Sequence, residues 1–198
     1  MAKLYFRYGT MASGKSTELL QVVFNYKQQK KKVLLWKPER DKKAEDRVVS
    51  RIGIDAKVDR LLQWYETTAD LEKWSKEDFT GVSCLVVDEA QFLTKEQVWD
   101  LWRFTKEKDI PVMCYGLRSN FKGEPFEGSA LLMAIADDIK ELKTICSHCE
   151  RKATMNARKV AGNYVREGEE TLIDGEKLLV KYEPMCGKCY LEKVIKKG

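Results

Sequence analysis

One motif of eight residues near the start of the chain limits its possible folds more than any other feature. The segment Gly9-Thr10-Met11-Ala12-Ser13-Gly14-Lys15-Ser16 fits the pattern G-x-x-x-x-G-K-[ST] at every fixed position. The residues from Lys3 to Tyr8 predict a short buried strand before it, and apolar residues at helical spacing from Lys15 to about Gln29 predict a helix after it. A phosphate-binding loop needs this order of strand, loop and helix, so a chance glycine-rich turn is the weaker interpretation.

The chemistry of such a loop follows from its backbone and from two side chains. Its glycines let backbone N–H groups curl around a phosphate at the N-terminus of the helix. In this sequence Lys15 would span the β- and γ-phosphate oxygens, and Ser16 would offer its hydroxyl to magnesium. We therefore expect the residues from Gly9 to Thr17 to bind the phosphates of ATP or GTP together with Mg²⁺.

A pair of adjacent acids marks the second part of the predicted site. Cys84-Leu85-Val86-Val87 is an unbroken apolar run that ends in Asp88 and Glu89, the pattern of a parallel strand buried on both faces. A nucleotide-binding loop needs a carboxylate to hold its magnesium, and we assign this role to Asp88. Neighbouring side chains on a strand point to opposite faces, which leaves Glu89 free to face a substrate. The alternative is that Glu89 only caps the following helix or pairs with a lysine.

The order of the other predicted elements indicates the fold class. Val33 to Trp36 and Pro111 to Tyr115 predict two more buried strands, and Lys95 to about Lys106 predicts a helix. Strands that alternate with helices favour an α/β fold, here a RecA-like P-loop parallel sheet with helices on both faces, over residues 1–144. Within it, Arg40 to Asp59 predicts a long loop and Ala69 to Ser75 a short helix.

Four of the six cysteines stand in two closely spaced pairs. The C-x-x-C pairs are separated by 36 residues, and such pairs are typical of a tetrahedral structural zinc site with the ligands Cys146, Cys149, Cys186 and Cys189. His148 could compete as a ligand, but four cysteines complete the shell and we expect it to be a surface residue. A redox dithiol is less favoured because there are two pairs. We expect residues 145–198 to form a small zinc-binding domain, and Cys84 and Cys114 to be core residues.

Composition excludes several classes of protein and partner. The 198 residues are 43% hydrophobic and 34% charged, which is typical of a globular chain and not of a disordered one. The sequence contains no apolar stretch of ~18 residues, and its N-terminus lacks the apolar region of a signal peptide, so we expect a cytoplasmic protein without a membrane segment. A net charge of +5 is too small to indicate nucleic-acid binding.

Taken together, these motifs resemble those of the type II thymidine kinases, a family of P-loop, zinc-containing deoxynucleoside kinases. The resemblance runs from Lys3 to Tyr190. It rests on the phosphate-binding loop with Met11, on Ser50-Arg51-Ile52-Gly53, Asp88-Glu89-Ala90-Gln91-Phe92 and the segment from Leu117 to Gly128, and on the cysteine pairs with Tyr182 four residues before Cys186.

The resemblance implies a reaction and a set of site residues. The reaction is transfer of the ATP γ-phosphoryl group to the 5′-hydroxyl of thymidine or deoxyuridine, with Glu89 as the catalytic base. A segment called the lasso, here about Asn163 to Tyr182, would cover the nucleoside and bind thymine through backbone groups near Ile173. The residues that would enclose the thymine base are Met11, Phe92, Leu117, Phe121, Phe126 and Tyr182. The family also implies feedback inhibition by dTTP and a homotetramer.

Two departures from the family pattern bear on the nucleoside site. The residues from Leu172 to Tyr182 contain one glycine where the family commonly has a pair. The family's Asp-x-Arg after the second strand is missing, so Lys42 or Arg51 would share the role of that arginine in contacting phosphate. A lysine offers a point charge instead of a two-pronged guanidinium group.

Two other functions remain alternatives at this stage. Asp88-Glu89-Ala90-Gln91 is similar to the acidic motif of helicase-type ATPases, and a zinc ribbon could grip nucleic acid. Against this, the chain has no room for a second motor domain, and residues 146–198 carry 11 basic against 8 acidic side chains, a net charge of only +3. A regulator that binds nucleotide without chemistry would leave Glu89 and the aromatic residues without a purpose.

Overall fold

The computed structural model describes residues 1–41, 46–64, 66, 79–168 and 179–196, and the structural statements below refer to these residues. The elements, in chain order, are β1 (Leu4–Gly9), α1 (Lys15–Gln28), β2 (Lys32–Pro38), β3 (Arg47–Val49), β4 (Asp55–Lys57), β5 (Arg60–Leu62), β6 (Val82–Val87), a 3₁₀ helix (Ala90–Phe92), α2 (Lys95–Glu107), β7 (Val112–Leu117), α3 (Glu127–Ile135), β8 (Asp138–Leu142), β9 (Met155–Val160), β10 (Asn163–Val165), β11 (Val180–Met185), α4 (Gly187–Tyr190) and a π-helix (Leu191–Ile195).

A six-stranded sheet in the order β5-β2-β6-β7-β1-β8 forms the centre of the molecule, and each neighbouring pair is parallel. Its middle strands are apolar on both faces; in β6, for example, the side chains from Cys84 to Val87 are fully buried. Such strands form where helices cover both sides of a sheet. The predicted α/β fold with a parallel sheet is therefore confirmed.

Two apolar clusters lie on opposite faces of this sheet. On one face, Val98 and Leu101 of α2 and Leu132 of α3 pack against strand residues such as Phe6 and Leu85. On the other face, α1 packs through Leu19, Leu20 and Val23 against alternate residues of the same strands, Val33, Leu35, Cys84, Val86 and Tyr115. The predicted covering of both faces by helices is thus confirmed, and so is the assignment of Cys84 and Cys114 to the core.

Several short elements differ from the sequence-based prediction. The predicted long loop from Arg40 to Asp59 is wrong in part, because β3 and β4 pair there as an antiparallel hairpin. Val48 of this hairpin is buried in the cluster beside α1. The strands β5 and β8 and the helix α3 were not predicted, since each is short or strongly polar. The predicted helix at Ala69 to Ser75 lies outside the described residues.

The C-terminal part forms a second, smaller sheet with a core of its own. Its three antiparallel strands have the order β10-β9-β11, and α4 and the π-helix follow them. The buried residues of this core are Cys146, Ala157, Met185, Cys186, Cys189, Tyr190 and Val194. None of the described helices has the length and apolar character that a membrane crossing requires.

The first turn of α3 yields a testable prediction about stability. A Cβ atom at Gly128 would lie 2.6 Å from the Leu93 carbonyl oxygen and 2.8 Å from that of Ala90. Backbone atoms cannot give way cheaply, so we expect Gly128→Ala to lower the free energy of unfolding by about 1–3 kcal/mol. Glu127→Ala at the exposed neighbouring position is the control and should stay within about 0.5 kcal/mol of the wild type in urea titrations. Equal stability of the two variants would contradict this packing.

Candidate functional site

The phosphate-binding motif forms a tight loop between β1 and α1. Gly14, immediately before the helix, has a φ of 80°, and Ala12 has a φ of 60°. A Cβ atom at Gly9 would collide with the Ser13 side chain and lie 2.6 Å from the Leu142 carbonyl oxygen. The glycines of the motif are thus required by the close approach and by the left-handed turn, and the loop ends at the N-terminus of a helix, where anions are favoured.

Two hydroxyl groups inside this loop have no protein partner among the described residues. The hydroxyl oxygens of Thr10 and Ser13 are buried, and neither has a hydrogen-bond partner in the described part of the chain. The Lys15 ammonium donates a hydrogen bond of 2.8 Å to the Thr10 carbonyl oxygen. Buried polar groups are normally paired, so this loop has the donors and the cation that a phosphate group would use.

Asp88 lies at the carboxyl end of β6 and is almost fully buried. Burial raises the pKa of its carboxyl to about 8, and the neighbouring Glu89 charge adds to this rise, while the Lys15 charge opposes it. The influence of Lys15 means that the loop lysine and the strand-end carboxyl share one electrostatic environment. A divalent cation would favour the ionised carboxylate, so Ser16 and Asp88 are the residues here that could hold magnesium.

Glu89 has an unusual backbone and a defined side-chain partner. Its φ of 48° lies in the left-handed region, which costs free energy for a residue with a Cβ atom and often marks a functional position. The Gln91 amide donates a hydrogen bond of 2.5 Å to the Glu89 carboxylate, and the Gln91 oxygen accepts one of 3.0 Å from the Leu117 N–H. Glu89 makes no side-chain capping bond to the 3₁₀ helix that it precedes, so the capping part of the alternative finds no support in the structure.

Residues 118–126 form a closed loop after β7. The side-chain oxygen of Asn120 accepts hydrogen bonds from the backbone N–H groups of Lys122 and Glu124, both of 3.0 Å. Phe121 and Phe126 on this loop are both buried, with 1% and 5% of their surface exposed. Phe126 meets Phe92 edge to face with 5.7 Å between ring centroids. The aromatic residues therefore form part of the packed structure as well as of a potential base pocket.

Side chains from β9 connect the smaller sheet with these loops. The Asn156 amide, 3% exposed, accepts a hydrogen bond of 2.8 Å from the Met11 N–H and donates one of 3.1 Å to the Ser119 carbonyl oxygen. The guanidinium group of Arg158 lies 3.6 Å from the centroid of the Phe121 ring. Sequence analysis missed both residues, because a short strand of mixed polarity carries no signal of what its side chains contact.

Further contacts join the same two parts of the molecule. Arg118 donates a hydrogen bond of 3.0 Å to the Thr154 carbonyl oxygen, and the Tyr190 hydroxyl donates one of 2.5 Å to the Phe121 carbonyl oxygen. The loop after β7 is thus held to the C-terminal part by hydrogen bonds that side chains donate to backbone carbonyl oxygens.

The other predicted site residues have varied positions. Met11, Leu117 and Tyr182 are half-buried, the last of them on β11 directly opposite Arg158 of β9. Arg51 is exposed in the turn of the β3–β4 hairpin. Lys42 and Ile173 lie outside the described residues, as does the middle of the predicted lasso, residues 169–178.

The four paired cysteines come together as the sequence predicts. Their sulfur atoms all lie within 4.8 Å of one another, with 3.6 Å between Cys149 and Cys186 and 3.7 Å between Cys149 and Cys189. A tetrahedral zinc with Zn–S bonds of about 2.3 Å separates its sulfur ligands by about 3.8 Å. The N–H groups of His148 and Cys189 point at the sulfur atoms of Cys146 and Cys186, each at 3.4 Å. The cluster is compatible with zinc.

His148 is at the surface, as expected, but its ring is engaged. Its Nε2 lies 2.7 Å from the Tyr164 hydroxyl and 3.1 Å from the Glu183 carboxylate. Burial would raise the pKa of Glu183, but hydrogen bonds from Tyr164, Lys159 and His148 outweigh it and lower that pKa to about 2. His148 thus belongs to a polar network that connects β10, β9 and β11, outside the group of four sulfur ligands.

Comparison with known proteins gives one consistent result. A family model described as thymidine kinase matches residues 2–190. The chain is 43% identical over 192 residues to the thymidine kinase of Chromobacterium violaceum, covering 96% of this chain and 98% of that one. It is 44% identical to the thymidine kinase of Novosphingobium aromaticivorans and 43% identical to that of Lactococcus lactis, in both cases over 198 aligned positions that cover 97% of this chain and 98% of the other.

The raised pKa of Asp88 predicts how stability depends on pH. The folded-state pKa is about 8 against an ordinary value of 3.8, so the folded chain retains a proton that the unfolded chain releases. In metal-free and nucleotide-free protein this contribution to stability is complete below pH 3.8 and is lost as the pH rises through about 8. We expect Asp88→Asn to be more stable than the wild type at pH 8 in urea titrations, with the difference narrowing towards pH 4. Parallel stability curves of the two proteins across this range would contradict the burial of a protonated carboxyl.

Proposed function

This chain belongs to the thymidine kinase family, and we propose that it transfers the γ-phosphoryl group of ATP to the 5′-hydroxyl of thymidine and of deoxyuridine, in the salvage of deoxynucleosides. One observation carries the proposal for this particular chain. The loop that suits phosphate, the buried Asp88 and the strained Glu89 meet at the carboxyl edge of the sheet, and Gln91 ties Glu89 to the start of the aromatic loop. A donor site and an acceptor site are thereby adjacent.

On the donor side, the residues from Gly9 to Thr17 bind the ATP phosphates. Backbone N–H groups and the hydroxyls of Thr10 and Ser13 surround the phosphates, and Lys15 neutralises charge on the β and γ groups. Ser16 and Asp88 would hold the magnesium ion. Magnesium, when bound, stabilises the charge that develops on the transferring phosphoryl group.

On the acceptor side, Glu89 accepts or orients the proton of the 5′-hydroxyl. Its left-handed backbone and its bond from Gln91 fix the direction of the carboxylate, so that the hydroxyl is presented in line with the phosphoryl group. The thymine base contacts Met11, Phe92, Leu117, Phe126 and Tyr182. Phe121 is buried with the Arg158 guanidinium over its ring, and it supports this pocket as part of the packed structure beside it.

The lasso from about Asn163 to Tyr182 covers the bound nucleoside and contacts thymine through backbone groups near Ile173. Exclusion of water from the γ-phosphoryl group suppresses hydrolysis of ATP. Lys42 or Arg51 contributes positive charge at the phosphates in place of the family's arginine. We also propose that dTTP inhibits the enzyme, and that it is a cytoplasmic homotetramer.

Zinc is proposed as a structural ion bound by Cys146, Cys149, Cys186 and Cys189. The supporting observation is the spacing of the four sulfur atoms, close to the edges of a tetrahedron around zinc. Four protein ligands leave no open position for a water molecule or substrate, so the ion fixes the ends of the smaller sheet and takes no part in the reaction. Residues 145–198 then act as a substrate-covering domain on the nucleotide-binding domain of residues 1–144.

The function is tested by measuring ATP turnover alone, with thymidine and with oligonucleotides. We expect thymidine to stimulate turnover and to appear as the monophosphate, and oligonucleotides to have no effect. Glu89→Gln should retain ATP binding but lose at least ~10²-fold in kcat, the usual contribution of a positioned base. Glu96→Gln, an exposed acid at the start of α2, is the control and should keep wild-type turnover. Stimulation by oligonucleotides instead of thymidine would favour the ATPase alternative.

The zinc site predicts metal content and thiol reactivity. We expect one zinc per chain and protection of four thiols from alkylation until a chelator is added, because coordination removes the thiolates from reagent. Cys146→Ser should lose the metal, whereas Cys84→Ser in the core of the large sheet should retain it. Metal analysis and thiol counting of the three proteins provide the measurement. Wild-type protein that is purified without chelator and still contains no zinc would refute the assignment.

A further inference from the structure

A buried positive charge next to the aromatic loop has no role in the reaction described above. Arg158 of β9 is 1% exposed, and a buried guanidinium group is costly unless its surroundings compensate for the lost water. Its charged end lies 3.6 Å from the centroid of the Phe121 ring, a cation–π contact. Tyr182 stands directly opposite Arg158 in the antiparallel register of β9 and β11. Arg158 therefore neighbours two residues that were assigned to the thymine pocket, Phe121 through its charged end and Tyr182 through the strand register.

Arg158 also holds the chain that leaves β10. Its Nη2 donates a hydrogen bond to the Glu167 carbonyl oxygen. The next residue, Gly168, has a φ of 102°, and a Cβ atom there would lie 2.8 Å from Arg158 Nη2. Gly168 thus needs to be glycine for its backbone conformation and for the room that the guanidinium group takes up. The backbone at Glu167 and Gly168 lies so close to Arg158 that the position of the guanidinium group and the position of this backbone depend on each other.

We propose that Arg158 is a positioning residue of the nucleoside site, which fixes the Phe121 ring and the backbone at Glu167 and Gly168 in one relative arrangement. The inference rests on the proposed thymidine kinase function, since Phe121 and residues 163–168, the described first part of the lasso, are assigned there to thymidine. A planar guanidinium group can stack on a ring and donate to a carbonyl oxygen at the same time. Through these two contacts the aromatic pocket and the start of the covering segment take up their positions together.

The contacts of the phosphate-binding loop make the proposal specific. Among the described residues, it is Asn156 of the smaller sheet that contacts that loop, by accepting a hydrogen bond of 2.8 Å from the Met11 N–H. Displacement of the Arg158 guanidinium should therefore weaken thymidine binding and leave ATP binding intact. A general loosening of the fold would instead affect both substrates and lower the melting temperature.

Two glycines allow the displacement to be tested without removing the arginine. Gly168→Ala adds a methyl group that pushes the end of the Arg158 side chain away. Gly162→Ala is the matched control, because Gly162 has a φ of 85° and open space around its missing Cβ atom. Both variants carry a similar backbone cost, so the difference between them reports the contact with Arg158. Arg158→Lys is the third variant and keeps the charge but not the planar fork.

The measurements are KM for thymidine, KM for ATP, kcat and the melting temperature of the full-length, zinc-loaded protein. We expect Gly168→Ala to raise the thymidine KM about tenfold relative to Gly162→Ala, with the ATP KM within about twofold, where tenfold corresponds to about 1.4 kcal/mol. Arg158→Lys should raise the thymidine KM by a smaller factor, because the cation over Phe121 is retained.

The possible outcomes distinguish a failure of this inference from a failure of the proposed function. If Gly168→Ala and Gly162→Ala have the same thymidine KM, the inference is overturned. This comparison is decisive even if Arg158→Lys does not fold. Equal increases of both KM values in Gly168→Ala also overturn it, since the contact would then be structural only. If the wild type does not phosphorylate thymidine, the proposed function fails and this inference falls with it, whereas wild-type activity with matching glycine variants refutes the inference alone.

Discussion

The common direction of the strands in the large sheet determines where chemistry can take place in this molecule. With both faces covered by apolar clusters, the interior of the sheet favours apolar side chains, and the polar groups of the candidate site lie where the strands end. Because β7 lies between β1 and β6 in parallel register, the chain leaves all three strands at one edge, at Gly9, Asp88 and Leu117. The raised pKa of Asp88 follows from this position, since its carboxyl adjoins the apolar interior.

The same edge accumulates unfavourable local features that a ligand would relieve. The left-handed backbones of Ala12 and Glu89, the buried hydroxyls of Thr10 and Ser13, and the burial of the Asp88 carboxyl each reduce the stability of the ligand-free chain at neutral pH. Phosphate oxygens and a divalent cation would pair the hydroxyls and favour the ionised carboxylate. A site of this kind gives up some stability of the free protein in exchange for preorganised groups that need little rearrangement when the substrate binds.

Features that are encoded in a long pattern or a fixed spacing of neighbouring residues could be predicted from the sequence, whereas short strands and contacts between distant residues could not. The helices α1 and α2 and the strand β6 have long or unbroken apolar patterns, so they were predicted correctly. The motif from Gly9 to Ser16 and the cysteine pairs have fixed spacings, so the loop between β1 and α1 and the cluster of four cysteines were predicted as well. The three-residue strands β3, β4 and β5 are too short for periodicity to register, and β8, from Asp138 to Leu142, is a polar edge strand. The sequence around Asn156 and Arg158 does not indicate their roles, because Asn156 contacts Met11, 145 positions earlier in the chain, and Arg158 contacts Phe121, 37 positions earlier.

Through these long-range contacts, the cysteine cluster can influence the candidate site although it lies in the other sheet's core. The small core of the C-terminal sheet includes three buried cysteines, Cys146, Cys186 and Cys189, so a metal bound there would supply much of what holds that core together. β9 is the central strand of the sheet, and it carries Asn156 to the phosphate-binding loop and Arg158 to Phe121. Loss of the metal would therefore affect both proposed substrate sites through the position of one strand, although none of the four cysteines is proposed to contact a substrate.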